Sequence, residues 1–261
     1  MSVMLSKSER EELGSKFNFR FENKALPTTC SIHAIELLDE EKCASYLDQL
    51  AAEIGSPSRR VTASMLAKRY AYLAVVPVLY AMTVFDKGLG LTLYNCLLAS
   101  PDDDEYSLSK SRFPNLSLDG LNVTEPEVGN RGDWREHVVR QLFEEHLSPL
   151  FHSLSIVGGV PRSVLWENVM VRITPLYEDQ LEEEEDPSIL IRLHDDFKFI
   201  TETAPASLFR ERRNPFAMFH NTKNTEHTDN QAAYIRKTCC FYFEMSPEYC
   251  RACPKPLNSH F

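Results

Sequence analysis

Residues 161–173, PRSVLWENVMVRI, decide the fold class of this chain. Proline at position 161 is typical of the first turn of a helix, where its missing N–H group costs nothing. The residues after it place apolar side chains at helical spacing on all sides, at Leu165, Trp166, Val169, Met170 and Ile173. A helix that is apolar on every side is buried in a protein core. The stretch therefore predicts a buried central helix, and with it a fold dominated by helices.

The rest of the chain adds further helices and a small sheet. Pro77 should kink a second helix, whose apolar stripe consists of Leu66, Tyr70, Leu73 and Tyr80. Strand-like patterns occur at Leu89–Ala99, Tyr234–Phe243 and a few shorter stretches. Because helices and strands do not alternate regularly, a doubly wound parallel sheet is disfavoured. We predict a helix-dominated α+β fold with a small antiparallel sheet, in which residues 1–60 form an N-terminal segment packed on residues 61–261.

The composition is that of a globular protein with an acidic surface. The 261 residues are 43% hydrophobic and 25% charged, and 28 Lys and Arg face 38 Asp and Glu for a net charge of −10. This charge disfavours nucleic acid as a partner but is compatible with a local basic pocket. No stretch reaches the ~18 apolar residues that a membrane helix needs, and the first residues lack the apolar run of a secretory signal. We expect a cytoplasmic protein without a transmembrane segment.

Several familiar sites are missing from the sequence. It contains no G-x-G-x-x-G, no G-x-x-x-x-G-K-S/T, no H-E-x-x-H and no G-x-S-x-G, so no nucleotide, zinc-protease or hydrolase motif is visible. His220 and His227 share a polar segment, and we interpret them as solvated histidines rather than metal ligands. A basic group lies beside Phe209 and Phe216 in the sequence and consists of Arg210, Arg212 and Arg213. It either recognises an anionic ligand or pairs with acidic residues on the surface.

The cysteines carry the strongest chemical signal. Four of the seven lie between positions 239 and 253, at Cys239, Cys240, Cys250 and Cys253. Four thiols suffice for one metal centre, which leaves zinc, an iron–sulfur cluster or unliganded buried thiols as alternatives. In an extended strand, Cys239 and Cys240 would point to opposite faces and could not easily chelate one small ion together. This spacing favours an iron–sulfur cluster over zinc without excluding zinc.

Three motifs resemble one known family. Residues 236–242, RKTCCFY, and residues 250–254, CRACP, resemble the cysteine signature of the FhuF-like ferric siderophore reductases. Residues 165–169, LWENV, resemble a helix motif that these reductases share with the C-terminal part of aerobactin-type siderophore synthetases. Nine residues separate Cys240 from Cys250 here, one fewer than in the best-known members. The resemblance implies that residues 61–261 form a siderophore-reductase-like region whose motif, residues 236–254, holds a [2Fe-2S] cluster.

The resemblance also implies the remaining site residues. The four clustered cysteines would be the cluster ligands, whereas Cys30, Cys43 and Cys96 match no family ligand and are interpreted as small core residues. Arg236 and Lys237 lie beside the first cysteine pair and are candidates for attracting an anionic substrate. The alternative for Arg236 is a structural salt bridge. The group of Arg210, Arg212 and Arg213 is the second candidate for substrate binding.

The implied activity is one-electron reduction of a cytoplasmic ferric siderophore, of the hydroxamate or citrate–hydroxamate type, with release of Fe(II). No nicotinamide or flavin motif is present, so the electron should come from a ferredoxin, a flavodoxin or their reductase. Two other functions stay open. One is an iron–sulfur redox or iron sensor without reductase activity, against which no DNA-binding helix pair with a basic face is visible. The other is a zinc-stabilised ligand-binding module.

Overall fold

The structure, a computed structural model, describes residues 3–21, 31–100, 112–219 and 234–255. Within these ranges the α-helices are α1 (Lys7–Phe17), α2 (Glu40–Ile54), α3 (Arg59–Tyr70), α4 (Val76–Val84), α5 (Arg131–Val139), α6 (Ser148–Gly158), α7 (Arg162–Glu183) and α8 (Pro187–Lys198). Wider π-helical turns join or extend them at Ala71–Val75, Arg140–Leu147 and Phe199–Thr203. Short 3-10 helices occur at Ala34–Leu38, Ala206–Phe209 and Tyr242–Glu244. The prediction of a helix-dominated fold is confirmed.

Two small antiparallel sheets accompany the helices. The first pairs β1 (Ser31–His33) with β3 (Cys96–Ala99), and β3 with β4 (Asn115–Leu118). The second pairs β2 (Gly88–Gly90) with β5 (Asn122–Thr124). The region predicted as one strand, Leu89–Ala99, is therefore two short strands in different sheets. Asn95 separates them, since its side chain accepts from the Thr92 N–H and donates to the Gly90 carbonyl.

The prediction of a strand at Tyr234–Phe243 is wrong. The segment has irregular backbone, with Phe241 in the left-handed region at a φ of 65°. Its backbone N–H groups at positions 237 and 238 donate to a buried glutamate side chain instead of to a neighbouring strand. The aromatic side chains of Phe241 and Tyr242, which suggested a strand here, pack against the cluster that Val61 and Met65 of helix α3 form. Tertiary hydrogen bonds thus overrode the local pattern.

Helices α3 and α4 form one continuous rod with a wide turn. The rod begins one turn earlier than its apolar stripe, because the Ser58 side chain accepts a hydrogen bond from the Val61 N–H and caps the helix. The π-helical turn Ala71–Val75 lies just before Pro77. Proline lacks an N–H and its ring presses on the preceding turn, so a local widening is expected there. The predicted distortion at Pro77 is confirmed.

Helix α7 forms the centre of the core, as predicted. Trp166 is 1% exposed and its ring makes edge contacts with Phe143, Phe151, Phe209 and Phe216. Such edge-to-face pairs stabilise a core by ~1 kcal/mol each beyond the area they bury. The same helix buries two polar side chains, Glu167 and Asn168, at 0% exposure. These two residues face the cysteine-bearing segment and position it.

The helices next to α7 pack closely. A Cβ added at Gly158, the last residue of α6, would lie 2.5 Å from the Ala63 Cβ of α3, so only glycine permits this approach. Buried residues from α1 and α2 belong to the same apolar cluster as those of α7. The division into an N-terminal segment, residues 1–60, and residues 61–261 stays a prediction. In the part of the chain that the structure describes, no helix has the length and apolar character needed to span a bilayer.

Candidate metal centre

The four clustered cysteines lie on one loop, residues 236–253, that packs against α3 and α7. Cys240 and Cys253 are buried, and Cys239 and Cys250 are half-buried. The Sγ atoms of Cys240 and Cys250 lie 3.5 Å apart. Two thiolates on one tetrahedral metal at a metal–sulfur distance of ~2.3 Å would have sulfurs about 3.8 Å apart. The loop thus places one cysteine of each pair at nearly the spacing that a shared metal requires.

Backbone hydrogen bonds bring the two cysteine pairs together. The Arg236 N–H donates to the Ala252 carbonyl at 3.0 Å, which ties the segment before Cys239 to the turn between Cys250 and Cys253. That turn is closed by the Cys253 N–H, which donates to the Cys250 carbonyl at 2.9 Å. The Phe241 N–H donates to the Cys239 Sγ at 3.4 Å. An N–H group aimed at a sulfur favours the thiolate form, which is the form that binds metals.

Glu167 of α7 holds the segment before the cysteines. Its Oε1 accepts from the Lys237 N–H at 2.5 Å and from the Tyr234 hydroxyl at 3.0 Å. Its Oε2 accepts from the Thr238 N–H at 2.8 Å and from the Thr238 hydroxyl. The Arg236 Nε lies 3.4 Å from the same Oε2. A carboxylate buried at 0% exposure is tolerated because four donors and one cation surround it.

Asn168 extends this network to the first cysteine pair. Its side-chain oxygen accepts from the Arg236 Nη1 at 2.7 Å, and its amide nitrogen donates to the Ser64 carbonyl at 2.8 Å. The Ser64 hydroxyl in turn donates to the Cys240 carbonyl at 2.9 Å. A continuous chain of hydrogen bonds therefore connects α7, α3 and Cys240. Such fully satisfied buried networks fix one arrangement of the groups they join.

A small apolar cluster lies beneath Cys240. It consists of Val61, Met65 and Cys240, and the half-buried side chains around it include Phe241, Tyr242 and Cys250. The Arg60 guanidinium lies 4.6 Å from the centre of the Phe241 ring and pairs with Glu244 at 2.9 Å. These contacts fasten the turn after Cys240 to the start of α3. The sulfur of Cys240 is thereby shielded from water on its inner side.

The thiols differ in acidity. The hydrogen bond with Cys250, and the nearby charges of Arg236 and Lys68, lower the pKa of Cys240. The same hydrogen bond, together with burial, raises the pKa of Cys250. Burial raises the pKa of Cys239 as well. The hydrogen bond between the two sulfurs thus favours the thiolate form of Cys240 over that of Cys250.

The side chains of the loop suit a group held by thiolates. Within the described ranges, no three His, Cys, Asp or Glu side chains are arranged to hold a single metal ion. The donor set and the close pair Cys240–Cys250 suit a sulfur-ligated centre. The backbone turns at Phe241, so Cys239 and Cys240 do not belong to an extended strand. The expectation that their side chains point to opposite faces therefore does not apply. The assignment of all four cysteines as cluster ligands stays a prediction.

The structure places the proposed substrate-binding residues in two different environments. Arg236 is 2% exposed, and its guanidinium contacts Glu167, Asn168 and the Thr238 carbonyl. This arrangement is the structural salt bridge that the sequence left open as the alternative role of Arg236. Lys237 is exposed, and its Nζ donates to the Met218 carbonyl.

The second candidate group is exposed and contacts another part of the fold. Arg210 lies 4.0 Å from Glu144 and lines a cavity of about 380 Å³ beside α6, together with His152 and Arg162. Arg212 and Arg213 are exposed. Arg210 therefore adjoins α6 rather than the contacts that hold the cysteine loop.

Cys43 and Cys96 are fully buried in the core, as expected. Burial raises the pKa of Cys96 to about 12, which makes its thiol unreactive. Cys30, His220 and His227 lie outside the described residues.

Glu167 and Asn168 support the cysteine loop, and neither was predicted as a site residue. Both belong to the LWENV motif, but only their neighbours served to predict a buried helix. The available signal was a charged residue and an amide in the middle of an otherwise apolar helix. Buried polar residues require partners, so their presence indicated that another segment must dock there.

The aerobactin synthetase IucC from a hypervirulent pathotype of Klebsiella pneumoniae has a similar fold, with a TM-score of 0.51 and 13% sequence identity. The similarity covers 75% of this chain and 37% of that one, so the chain spans little more than a third of the synthetase. At this identity the likeness concerns the fold alone, and it confirms the predicted resemblance to aerobactin-type synthetases.

At the level of sequence, no curated protein matches the chain. The family described as "Ferric iron reductase FhuF-like transporter" matches residues 64–229, which is more than half of the chain. The matched range includes the three polar residues that support the cysteine loop from α3 and α7, namely Ser64, Glu167 and Asn168. The cysteines themselves follow the matched range. The chain therefore belongs to the ferric iron reductase FhuF-like family.

Proposed function

We propose that this protein is a ferric siderophore reductase. In this proposal, Cys239, Cys240, Cys250 and Cys253 hold a [2Fe-2S] cluster, which passes one electron at a time to chelated Fe(III). The substrate is a ferric siderophore of the hydroxamate or citrate–hydroxamate type in the cytoplasm. Hard oxygen ligands hold Fe(III) tightly and Fe(II) much more weakly, so one electron per iron releases the metal with the chelator intact.

One observation carries the proposal. The side chains that hold the cysteine loop, Glu167 and Asn168, come from the central core helix, which lies inside the range that the family matches. A conventional core helix would place apolar residues at both positions, because a buried carboxylate is costly without partners. Their presence supports a fold in which the central helix serves to present the cysteines. Family membership then supports iron reduction as the reason for presenting them.

The residues of the chain have separable roles in this proposal. The buried network positions the loop, and the apolar cluster beneath Cys240 keeps water from the inner face of its sulfur. The charges of Arg236 and Lys68 favour the thiolate of Cys240, and positive charge near a sulfur ligand favours the more negative, reduced state of a metal centre. Lys237 is exposed and available to a substrate. The electron donor is a reduced ferredoxin, a flavodoxin or their reductase.

The first experiment is the visible spectrum of the protein purified in air, with iron and sulfide analysis. We expect a red-brown protein with two irons and two sulfides per chain. A colourless protein that contains zinc would overturn the cluster assignment and favour the zinc-stabilised module. Cys96→Ser serves as the control variant, because Cys96 is buried away from the loop.

The second experiment separates a reductase from a sensor. Dithionite-reduced protein is mixed with ferric siderophores in a stopped-flow instrument, with an Fe(II) trap present. We expect reoxidation faster than in buffer alone and one trapped Fe(II) per electron lost from the protein. Reoxidation by ferric chelates at the buffer rate would contradict the reductase function and favour the iron–sulfur sensor.

A further inference from the structure

A cluster of three cations lies beside the cysteine loop. Lys68 and Arg69 occupy the last turn of α3, and Arg172 lies on α7, which packs against α3. The guanidinium groups of Arg69 and Arg172 lie 5.9 Å and 5.4 Å from the centre of the same ring, that of Tyr72, and the charge of Arg172 also acts on Lys68. All three are half-buried. We call them the basic patch.

The basic patch lacks the acidic partners that other half-buried cations of this protein have. Arg131, for example, pairs with Asp86 and Asp196. In the ranges that the structure describes, no carboxylate oxygen lies within 4.0 Å of Lys68, Arg69 or Arg172. Like charges held together without counter-ions destabilise a fold. A bound anion would offset the repulsion among these three cations.

Aromatic rings take the place of acids around these cations. Lys68 lies 5.7 Å from the centre of the Tyr242 ring, and Arg172 lies 5.4 Å from that of Tyr72. Arg69 donates to the Pro114 carbonyl at 3.0 Å and to the Asn115 side chain at 3.1 Å. The Arg172 Nε–H group is buried, and no described residue accepts a hydrogen bond from it. Arg172 is thus a half-buried guanidinium with donors to spare.

The position of the patch connects it to the proposed reaction. Lys68 is close enough to Cys240 and Cys250 for their charges to act on its ammonium group. Tyr242, which its Nζ faces, follows Cys240 by two residues in the sequence. An anion held at the patch would therefore lie next to the cysteine loop. The distance over which an electron passes from the loop to the bound chelate would then be short.

We propose that Lys68, Arg69 and Arg172 bind the carboxylate groups of an anionic ferric chelate, such as a citrate–hydroxamate siderophore. This inference rests on the proposed function and adds to it a binding site and a substrate preference. Arginine matches a carboxylate with two parallel hydrogen bonds, and the flanking rings of Tyr72 and Tyr242 offer apolar contact to the chelator. Ferric chelates without carboxylates would gain little from this patch.

A binding measurement tests the site without depending on reduction. The gallium(III) complex of a citrate–hydroxamate siderophore has the shape and charge of the ferric complex but accepts no electron. Its dissociation constant is measured by calorimetry on the purified protein, and a neutral trihydroxamate gallium complex is the ligand control. We expect tighter binding of the anionic complex, weakening steeply with salt because the attraction is electrostatic.

Three variants locate the site. Arg172→Gln and Lys68→Gln should each raise the dissociation constant of the anionic complex about tenfold, as expected for the loss of a charge-assisted hydrogen bond. Arg172→Lys should recover part of this loss, because it keeps the charge without the paired donors. Lys7→Gln, which removes an equal charge from an exposed position on α1, should leave binding unchanged. The visible spectrum of each variant reports whether the cysteine loop is intact.

The outcomes separate this site from the proposed function. If Arg172→Gln and Lys68→Gln bind the anionic complex as tightly as the unaltered protein, the site is wrong, even when the protein reduces ferric chelates. Equal loss of the anionic and neutral complexes would also overturn it, because the patch would then act only through the fold. Charge-dependent binding at the patch without any reoxidation by ferric chelates would support the site and contradict the reductase function.

Discussion

The Arg236 Nη1 donates to the Asn168 side-chain oxygen at 2.7 Å, and this bond joins the cysteine loop to the central helix. Both groups are buried, and each is held by further partners, Glu167 for the arginine and Ser64 for the asparagine. The cysteines are thus carried by a polar network inside an otherwise apolar core. This relationship couples the position of the loop to the packing of the central helix.

Replacing Glu167 should loosen the loop and destabilise the protein. Glu167→Gln removes the charge that faces the buried Arg236 and turns one acceptor into a donor, opposite the N–H groups of the loop. Breaking a buried ion pair from one side costs about 3–5 kcal/mol. We expect a thermal midpoint lower by about 6–10 °C, with partial loss of the chromophore, measured by circular dichroism and visible absorption.

Glu182→Gln is the matched control, because Glu182 is exposed near the end of the same helix. It should change neither measurement. A Glu167→Gln protein with the midpoint and spectrum of the control would show that the network does not hold the loop.

Replacing any one of the four loop cysteines should abolish the chromophore. Cys240→Ser and Cys250→Ser remove the two sulfurs that lie 3.5 Å apart, and a harder oxygen ligand suits an iron–sulfur centre less well. Cys239→Ser and Cys253→Ser should bleach the protein as well. The measurement is visible absorption with iron analysis on proteins purified in parallel.

Cys43→Ala and Cys96→Ala are the controls for the cysteines, since both residues are fully buried in the core. Each should keep its iron content and spectrum and lose only stability. Bleaching by Cys96→Ala together with an intact Cys250→Ser protein would overturn the ligand assignment.

The buried salt bridges of Asp196 should stabilise the fold without affecting the cysteine loop. Asp196 is 0% exposed and accepts from Arg131, Arg135 and Thr83, so it ties α8 to α4 and α5. Asp196→Asn removes the buried negative charge that faces Arg131 and Arg135. The free energy of unfolding should fall by about 3 kcal/mol or more. We expect a thermal midpoint lower by several degrees and an unchanged spectrum at room temperature.

The neighbouring residue provides the control for this variant. Asp195 is exposed, so Asp195→Asn should leave the midpoint within about a degree, as is usual for surface substitutions. If both variants have the midpoint of the unaltered protein, Asp196 does not stabilise the packing of α8.

Acid should destabilise the protein through His146. Burial lowers the pKa of His146 to about 4 in the folded state, whereas an exposed histidine has a pKa of about 6.5. Between these values the unfolded chain binds more protons than the folded one, so stability falls as the pH falls. The loss attributable to this residue is on the order of 2 kcal/mol at pH 5. Above pH 7 this loss of stability is negligible, because His146 is almost entirely neutral in both the folded and the unfolded protein.

The test compares thermal midpoints at pH 7 and pH 5. His146→Gln retains a hydrogen-bonding group near the Tyr70 hydroxyl, which lies 2.6 Å from the His146 Nε2, and it should show a smaller drop between the two values. His152→Gln, a change at an exposed histidine, should keep the full drop. Equal drops in all three proteins would mean that carboxylates alone cause the acid sensitivity.

The sequence by itself determined the features that depend on local pattern. The apolar residues around Trp166 required a buried helix, and Pro77 required a distortion of the helix in which it lies, because both effects act within one or two turns. The clustered thiols likewise predict a metal centre, since four cysteines within fifteen residues are enough for one. These inferences needed no knowledge of which segments meet.

Only the tertiary structure decided what surrounds the cysteines. The segment Tyr234–Phe243 has the composition of a strand, yet its backbone N–H groups bond to Glu167, about seventy residues earlier in the chain. The same packing of α3 against α7 brings Lys68 and Arg172 together beside Cys240. Hydrogen bonds and charges between distant residues depend on how the helices pack, and no local periodicity encodes that arrangement.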